Sequence, residues 1–227
     1  MKYQIALFDL DGTVTDSGPG IVNSIRYALE KYGLPVPEEK VLRTFIGPPL
    51  KEQFQAVYGL NEEEGARMVE AYREYYTDRG IFENSVYRGV PEMLERLKES
   101  RVRILMATAK PEKFARRIAE HFDFAKYFEF IGGACMDGRR TDKHEVIEYV
   151  IRQCGISEEE RKRAVMIGDR SHDMIGAAKA GLHSLGVLYG YGDRAELEGA
   201  GAEMIAETPE EVCGLILDSS FVREKKD

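Results

Sequence analysis

Cysteine is scarce in this chain: Cys135, Cys154 and Cys213 are the only three in 227 residues, and no two form a Cys-x-x-Cys pair. An odd, scattered set excludes a disulfide framework and a thiolate metal site, so these read as reduced packing residues. Long apolar runs are missing too. The first, Ile5 to Phe8, is cut off by Asp9, whereas a membrane-spanning helix needs about 20 apolar residues. No leader-like segment stands out, so a cytoplasmic protein without a membrane partner is expected. Basic excess is absent as well. A formal charge of -8 argues against a nucleic-acid polymer as partner, because phosphate backbones select basic faces. A small anionic substrate stays compatible, since a few local cations can dominate a pocket. No internal repeat or low-complexity segment is present.

What the chain does have begins at its first strand. Ile5, Ala6, Leu7 and Phe8 run straight into Asp9-Leu10-Asp11-Gly12-Thr13. In an extended chain positions i and i+2 point the same way, so Asp9 and Asp11 would crowd together. Repulsion and desolvation oppose that unless a cation or a proton lies between them. Gly12 then lets the chain turn sharply. An Asp-Gly turn alone could account for this, but the rest of the chain supplies partners. A second apolar run, 104–107, ends at Thr108-Ala109-Lys110-Pro111, and a third, 164–167, ends at Gly168-Asp169-Arg170-Ser171-His172-Asp173. Between them, Lys143 opens a helix with Val146, Ile147, Val150 and Ile151 on one face. The chemistry thus collects at the carboxyl ends of apolar strands, where open α/β sheets place their ligand sites.

Further strands are expected at 128–131, 163–167, 184–188 and 204–206. Helical stripes lie between them: Val90, Met93, Leu94 and Leu97, then Phe114, Ala115, Ile118 and Ala119. Alternating strands and helices imply an α/β fold with a doubly wound parallel sheet. The segment 16–84 breaks the alternation. Ile21, Val22, Ile25, Ala28, Leu29 and Tyr32 make one helical face, Leu50, Phe54 and Val57 a second, and Ala66, Val69, Tyr72 and Tyr76 a third. This is far longer than a crossover of about a dozen residues. The expected organisation is a core of 1–15 and 85–218, an inserted helical domain of 16–84, and a flexible polar tail at 219–227.

With FDLDGT at 8–13, the strand-terminal Thr108, Lys143, and GDRSHD at 168–173 in that order, the chain resembles the haloacid dehalogenase superfamily. The likeness is to its phosphatase branch with a helical cap inserted into a Rossmann-like core. The resemblance implies that Asp9 is the nucleophile, giving an aspartyl-phosphate. Asp11 would protonate the leaving alcohol and then activate water. Thr108 and neighbouring amides such as that of Ala109 would hold the phosphate, with Lys143 stabilising the transferring group. Mg²⁺ suits an oxygen-rich site, its expected ligands being Asp9, the Asp11 backbone carbonyl and Asp169. Asp173 would hold a metal-bound water, orient Asp169, or simply start a helix. Lys110 would line the pocket or lie on the loop, and His172 reads as a surface or helix-capping residue.

Asp11 favours phosphoryl chemistry over dehalogenation, since a halide leaves without a proton. The stretches 45–50, 110–114 and 186–192 are similar to phosphoglycolate-phosphatase-type proteins, and more narrowly to the bacterial 5′-nucleotidase-like group. Two residues depart from common patterns: Ala109 follows the phosphate-binding Thr without a side-chain donor, and Arg170 stands beside Asp169 where a small hydroxyl residue is frequent. The cap loop around Arg43, Phe45, Gly47 and Pro48 offers both a cation and an aromatic platform, so phosphoglycolate and a nucleotide both stay open. The expected partner is a small phosphorylated metabolite, and the expected assembly a monomer or homodimer. A sugar phosphomutase and a non-catalytic phosphometabolite binder are the alternatives.

Overall fold

The structure is a computed structural model that describes residues 2–137 and 139–217. The tail expected at 219–227 lies outside the described residues. The strands are β1 (Ile5–Phe8), β2 (Thr15–Asp16), β3 (Ser85–Val86), β4 (Arg103–Pro111), β5 (Phe130–Ala134), β6 (Ala164–Gly168), β7 (His183–Val187) and β8 (Met204–Ala206). The helices are α1 (Gly18–Lys31), α2 (Glu39–Arg43), α3 (Leu50–Tyr58), α4 (Glu62–Tyr76), α5 (Val90–Glu99), α6 (Glu112–His121), α7 (Lys143–Gln153), α8 (Glu158–Arg161), α9 (Ser171–Lys179), α10 (Arg194–Gly199) and α11 (Pro209–Leu217). No helix among the described residues is long and apolar enough to cross a membrane.

Six strands form one sheet in the order β5-β4-β1-β6-β7-β8, and its strand pairs are parallel. The doubly wound α/β expectation is therefore met. β1 is central, with β4 on one side and β6 on the other, and this reversal of strand order opens a crevice at the carboxyl ends. Register then places the site. Phe8 lies opposite Met106 and Ile167, so Asp9 just after β1, Thr108 within β4 and Asp169 just after β6 lie at nearly one level.

β1 and β6 are apolar throughout because both faces are covered. Ile5, Leu7, Leu105, Ala107, Ala164 and Met166 pack with Val146, Ile147, Val150 and Ile151 of α7 and Ala177 of α9. The alternate residues Ala6, Phe8, Ile104, Met106, Val165 and Ile167 are equally buried.

β5 differs from expectation, running Phe130–Ala134 rather than 128–131. Ala125–Tyr127 form a 3₁₀ turn, and Phe128 packs edge-on against Phe8 at 6.3 Å. The strand instead continues through Gly132 and Gly133, residues that weaken a strand pattern. Here the glycine is structural: a Cβ on Gly132 would lie 2.4 Å from Val150 Cγ2, so its absence lets α7 approach the sheet. Strands β6 and β7 are each shifted by one residue from the expected bounds, the ordinary scatter of element ends.

Asp16–Ser85 form one compact unit, and the flanking segments form the other. Within the inserted unit α1 buries Ile21, Val22, Ile25, Ala28 and Leu29. A capping box between Asn61 and Glu64 opens α4, satisfying amides that have no helical partner. The buried face of α4 is Gly65, Met68, Ala71, Tyr72 and Tyr76, not the expected stripe through Ala66 and Val69. Gly65 decides the phase, because a Cβ there would lie 3.0 Å from Gln55 and 3.1 Å from Lys51 of α3. Helix α3 buries Phe54, while Val57 is exposed. Strands β2 and β3 pair with each other as a separate two-stranded ribbon.

Candidate active site

The Asp9 amide donates to the Ile167 carbonyl at 2.9 Å, which carries the β1–β6 ladder one residue past the strand. The chain then folds back. The amides of Thr13, Val14 and Thr15 all donate to the Leu10 carbonyl, and Gly12 donates to Thr15. Gly12 has φ +81°, and a Cβ there would lie 2.1 Å from Asp169 Oδ2. Both the backbone conformation and the contact require glycine.

Lys143 enters from the first residue of α7. Asp142 caps that helix by accepting from the His144 amide at 2.8 Å, which fixes where the lysine stands. The Lys143 ammonium lies 2.9 Å from Asp9 Oδ1 and 2.7 Å from Asp173 Oδ1, and it donates to the Ala107 carbonyl at 3.0 Å. All three side chains are nearly inaccessible. Burial opposes the charge on Lys143, but Asp173 and Asp9 outweigh it and hold the ammonium above its ordinary value. Burial likewise works to raise Asp9, yet Lys143 and then His172 prevail, so this carboxyl lies below the usual range. Lys143 thus favours the carboxylate form of Asp9 in a buried site.

Asp173 serves two ends. One oxygen accepts from the Arg170 amide at 3.1 Å and caps α9, and the other holds Lys143. The helix-start reading is thus right for one oxygen, while the lysine contact was missed by sequence reasoning. Asp169 is fully buried and accepts from the Thr13 hydroxyl at 3.3 Å and the Tyr191 amide at 2.8 Å. It forms no ion pair among the described residues. Burial, Asp173 and Asp9 push its carboxyl well above the ordinary value. His172, expected as a surface or helix-capping residue, is partly exposed in the first turn of α9, with Nε2 3.8 Å from Asp173 Oδ1. One ligand atom from each of Asp9, His172 and Asp173 falls within 4.8 Å of the others.

Asp9 and Asp173 share the buried Lys143 ammonium, while Asp169 is buried without an ion pair among the described residues. A hard divalent cation fits this excess of negative oxygen. The side-chain ligand atoms that gather among the described residues are those of Asp9, His172 and Asp173, a group that does not include the expected ligand Asp169.

Thr108 is buried at the end of the apolar part of β4, and its hydroxyl accepts from the Lys110 amide at 3.2 Å. Ala109 is partly exposed. Lys110 does not lie loose on the loop: its ammonium is 3.1 Å from Asp11 Oδ2. Asp9 and Asp11 therefore take different lysines. Arg170 is drawn to Glu196 at 2.9 Å, which also accepts from the Ser171 amide. In the inserted unit Arg43 pairs with Glu39 at 3.4 Å, Gly47 has φ +106°, and Phe45 is buried with its ring 5.1 Å from Phe54.

Sequence reasoning used the loop after β7 only for its family likeness and gave it no place at the site. Tyr191 binds Asp169 through its backbone, and a Cβ on Gly190 would lie 2.4 Å from Asp169 Cβ. The dense glycine spacing at 186–192 was the available signal.

Among known proteins, a Pseudomonas aeruginosa protein named 5′-nucleotidase is 42% identical over 87% of this chain and 88% of its own length. A Mycobacterium tuberculosis protein named tyrosine-protein kinase PtkA is 44% identical over 83% of this chain, which spans 63% of that relative. The crystal structure of a predicted phosphatase from Clostridium acetobutylicum superposes with a TM-score of 0.89 at 41% identity, covering 96% of this chain and 99% of the other. The model of the family described as haloacid dehalogenase-like hydrolase matches residues 6–187. The chain belongs to the haloacid dehalogenase-like hydrolases.

Proposed function

We propose that this hydrolase is a Mg²⁺-dependent phosphatase acting on a small phosphomonoester through an aspartyl-phosphate. The observation that carries the reading is the Lys143 bridge, 2.9 Å from Asp9 Oδ1. It keeps a buried carboxylate ionised at the carboxyl end of the central strand, as a nucleophile requires. Asp9 attacks phosphorus as the bond to the leaving oxygen breaks, and Asp11 gives that oxygen its proton. Asp11 then takes a proton from water, which attacks the phosphoryl group and returns Asp9 as carboxylate. Thr108, the Ala109 amide and Lys143 are assigned to the phosphoryl oxygens, where donors placed for developing charge lower the barrier. Asp9, Asp169 and the Asp11 carbonyl would hold Mg²⁺, with Asp173 acting from behind through Lys143. Bound there, the cation offsets the charge that keeps an anionic phosphate away from a carboxylate.

The inserted unit 16–84 is assigned the role of a cap that selects the leaving group, with Arg43, Phe45 and Gly47 in the candidate loop. The 42% identity to a protein named 5′-nucleotidase supports nucleoside monophosphates as the first substrates to test. The name of the mycobacterial relative describes a chain of which only 63% is matched.

The test is phosphate release with Mg²⁺ from nucleoside monophosphates, phosphoglycolate, sugar phosphates and pyrophosphate, beside Asp9→Asn. Turnover that needs the metal and disappears in the variant is expected. Full activity in Asp9→Asn defeats the nucleophile assignment. Isomerised sugar phosphate or a phosphorylated acceptor, without free phosphate, would move the chain to a phosphotransfer class.

A further inference from the structure

Strand β4 loses register where it reaches the site. Thr108 lies opposite Gly133 and Pro111 opposite Ala134, so Ala109 and Lys110 are extra residues on one strand. Irregularities of this kind re-aim side chains beside active sites. Gly133 makes the room: a Cβ there would lie 2.5 Å from the Lys110 carbonyl oxygen and 2.8 Å from the Glu112 backbone. The Lys110 amide closes the turn on the Thr108 hydroxyl.

The result is an inward lysine. The Lys110 side chain is 6% exposed, and its ammonium lies 3.1 Å from Asp11 Oδ2. Lysine is rarely buried unless paired, so this contact holds both side chains. The other oxygen, Asp11 Oδ1, is buried and accepts no hydrogen bond among the described residues. One oxygen is gripped and the other is left available.

We propose that Lys110 is the positioning residue for Asp11: it grips Oδ2 so that Oδ1 exchanges the proton, first with the leaving oxygen and then with water. This rests on the acid–base role given to Asp11 above. A lysine that instead bound the substrate phosphate would act on affinity, and the two roles separate in kinetics.

The experiment compares Lys110→Met, Lys110→Arg, Asp11→Asn and the double variant Lys110→Met/Asp11→Asn, by steady-state kinetics and by a crystal structure of Lys110→Met. A misplaced catalytic group costs about 100-fold. Lys110→Met is accordingly expected to lower kcat by about that factor with KM held within about twofold. Lys110→Arg recovers part of the loss. In the Asp11→Asn background the Lys110 substitution has no further effect, as residues acting through one another are not additive. The crystal structure is expected to show the Asp11 carboxylate rotated or split between conformers.

A raised KM at unchanged kcat overturns the proposal and makes Lys110 a substrate ligand. Equal losses with and without Asp11 also overturn it. If the wild-type chain releases phosphate from nothing, the proposed function fails by itself. The Asp11 position in Lys110→Met then still decides, and an unmoved carboxylate refutes the positioning role.

Discussion

Gly168 and Asp173 lie so close that a methyl group on the one would overlap the carboxyl group of the other: a Cβ on Gly168 falls 2.2 Å from Asp173 Cγ. The glycine ends β6, and the aspartate lies in the first turn of α9. This contact lets the Asp173 carboxylate reach both the Arg170 amide and the Lys143 ammonium. Gly168→Ala is expected to destabilise the chain by about 1–3 kcal/mol through overpacking and to lower activity by displacing Asp173. Urea unfolding and kcat measured on the same preparation check both effects. A variant with unchanged stability and activity would refute the contact.

Asp173→Asn keeps the shape and the helix cap but removes the charge that faces Lys143. Breaking a buried ion pair by removing one partner costs about 3–5 kcal/mol. The lower part of that range is expected, because Asp9 and the Ala107 carbonyl still hold the ammonium. Chemical denaturation in EDTA measures the loss without any metal contribution.

Asp169 and Asp9 predict opposite pH responses in metal-free protein. The Asp169 carboxyl lies above its ordinary value of 3.8, so the native state binds this proton more tightly than the unfolded chain. Its contribution therefore makes stability fall as pH rises from about 3.8 toward the raised value, and is level beyond it. The Asp9 carboxyl lies below 3.8, so its stabilisation is present above 3.8 and is lost as pH falls through the lowered value. Asp169→Asn should remove the first effect alone and raise the stability of metal-free protein at neutral pH. It should also abolish stabilisation by Mg²⁺, which in the wild type reaches about 2.7 kcal/mol at 100 times Kd. Thermal unfolding with EDTA and with Mg²⁺ across pH reads all three. A destabilised metal-free variant would contradict the assignment.

Gly199 gives the opposite sign. It ends α10, and a Cβ there meets nothing within 4 Å. Gly199→Ala is expected to stabilise by about 0.4–1 kcal/mol through the unfolded chain, with activity unchanged. A lowered unfolding midpoint would count against the open environment.

Much of the sheet and the site was legible because chemistry interrupts hydrophobicity. Asp9 ends an apolar run, Lys143 opens an amphipathic helix, and Asp169 follows a strand directly. Those breaks locate residues but not their partners. The expected crowding of Asp9 and Asp11 is relieved by two lysines far away in sequence, Lys143 and Lys110, whose directions depend on α7 and on the irregular end of β4. Gly132 and Gly133 concealed the true extent of β5, since a missing side chain looks like a strand end until the neighbouring helix is seen. On α4 the expected Tyr72 and Tyr76 are buried, but Gly65 and Met68 take the places given to Ala66 and Val69. His172 is partly exposed in the first turn of α9, as a surface or helix-start residue would be, but its nearness to Asp173 was not legible in any local pattern.

The ribbon of β2 and β3 has a genetic consequence. The two crossings between the units, at Thr15–Asp16 and Ser85–Val86, are paired with each other. The detour therefore begins and finishes at one address, and a short glycine-containing link can join its ends across a strand spacing of about 5 Å. The segment between them is thus a cassette: it can be excised, lengthened or exchanged for that of a relative without re-threading the sheet. If the inserted unit selects the substrate, as proposed, substrate choice and bond cleavage would be free to change on separate evolutionary clocks.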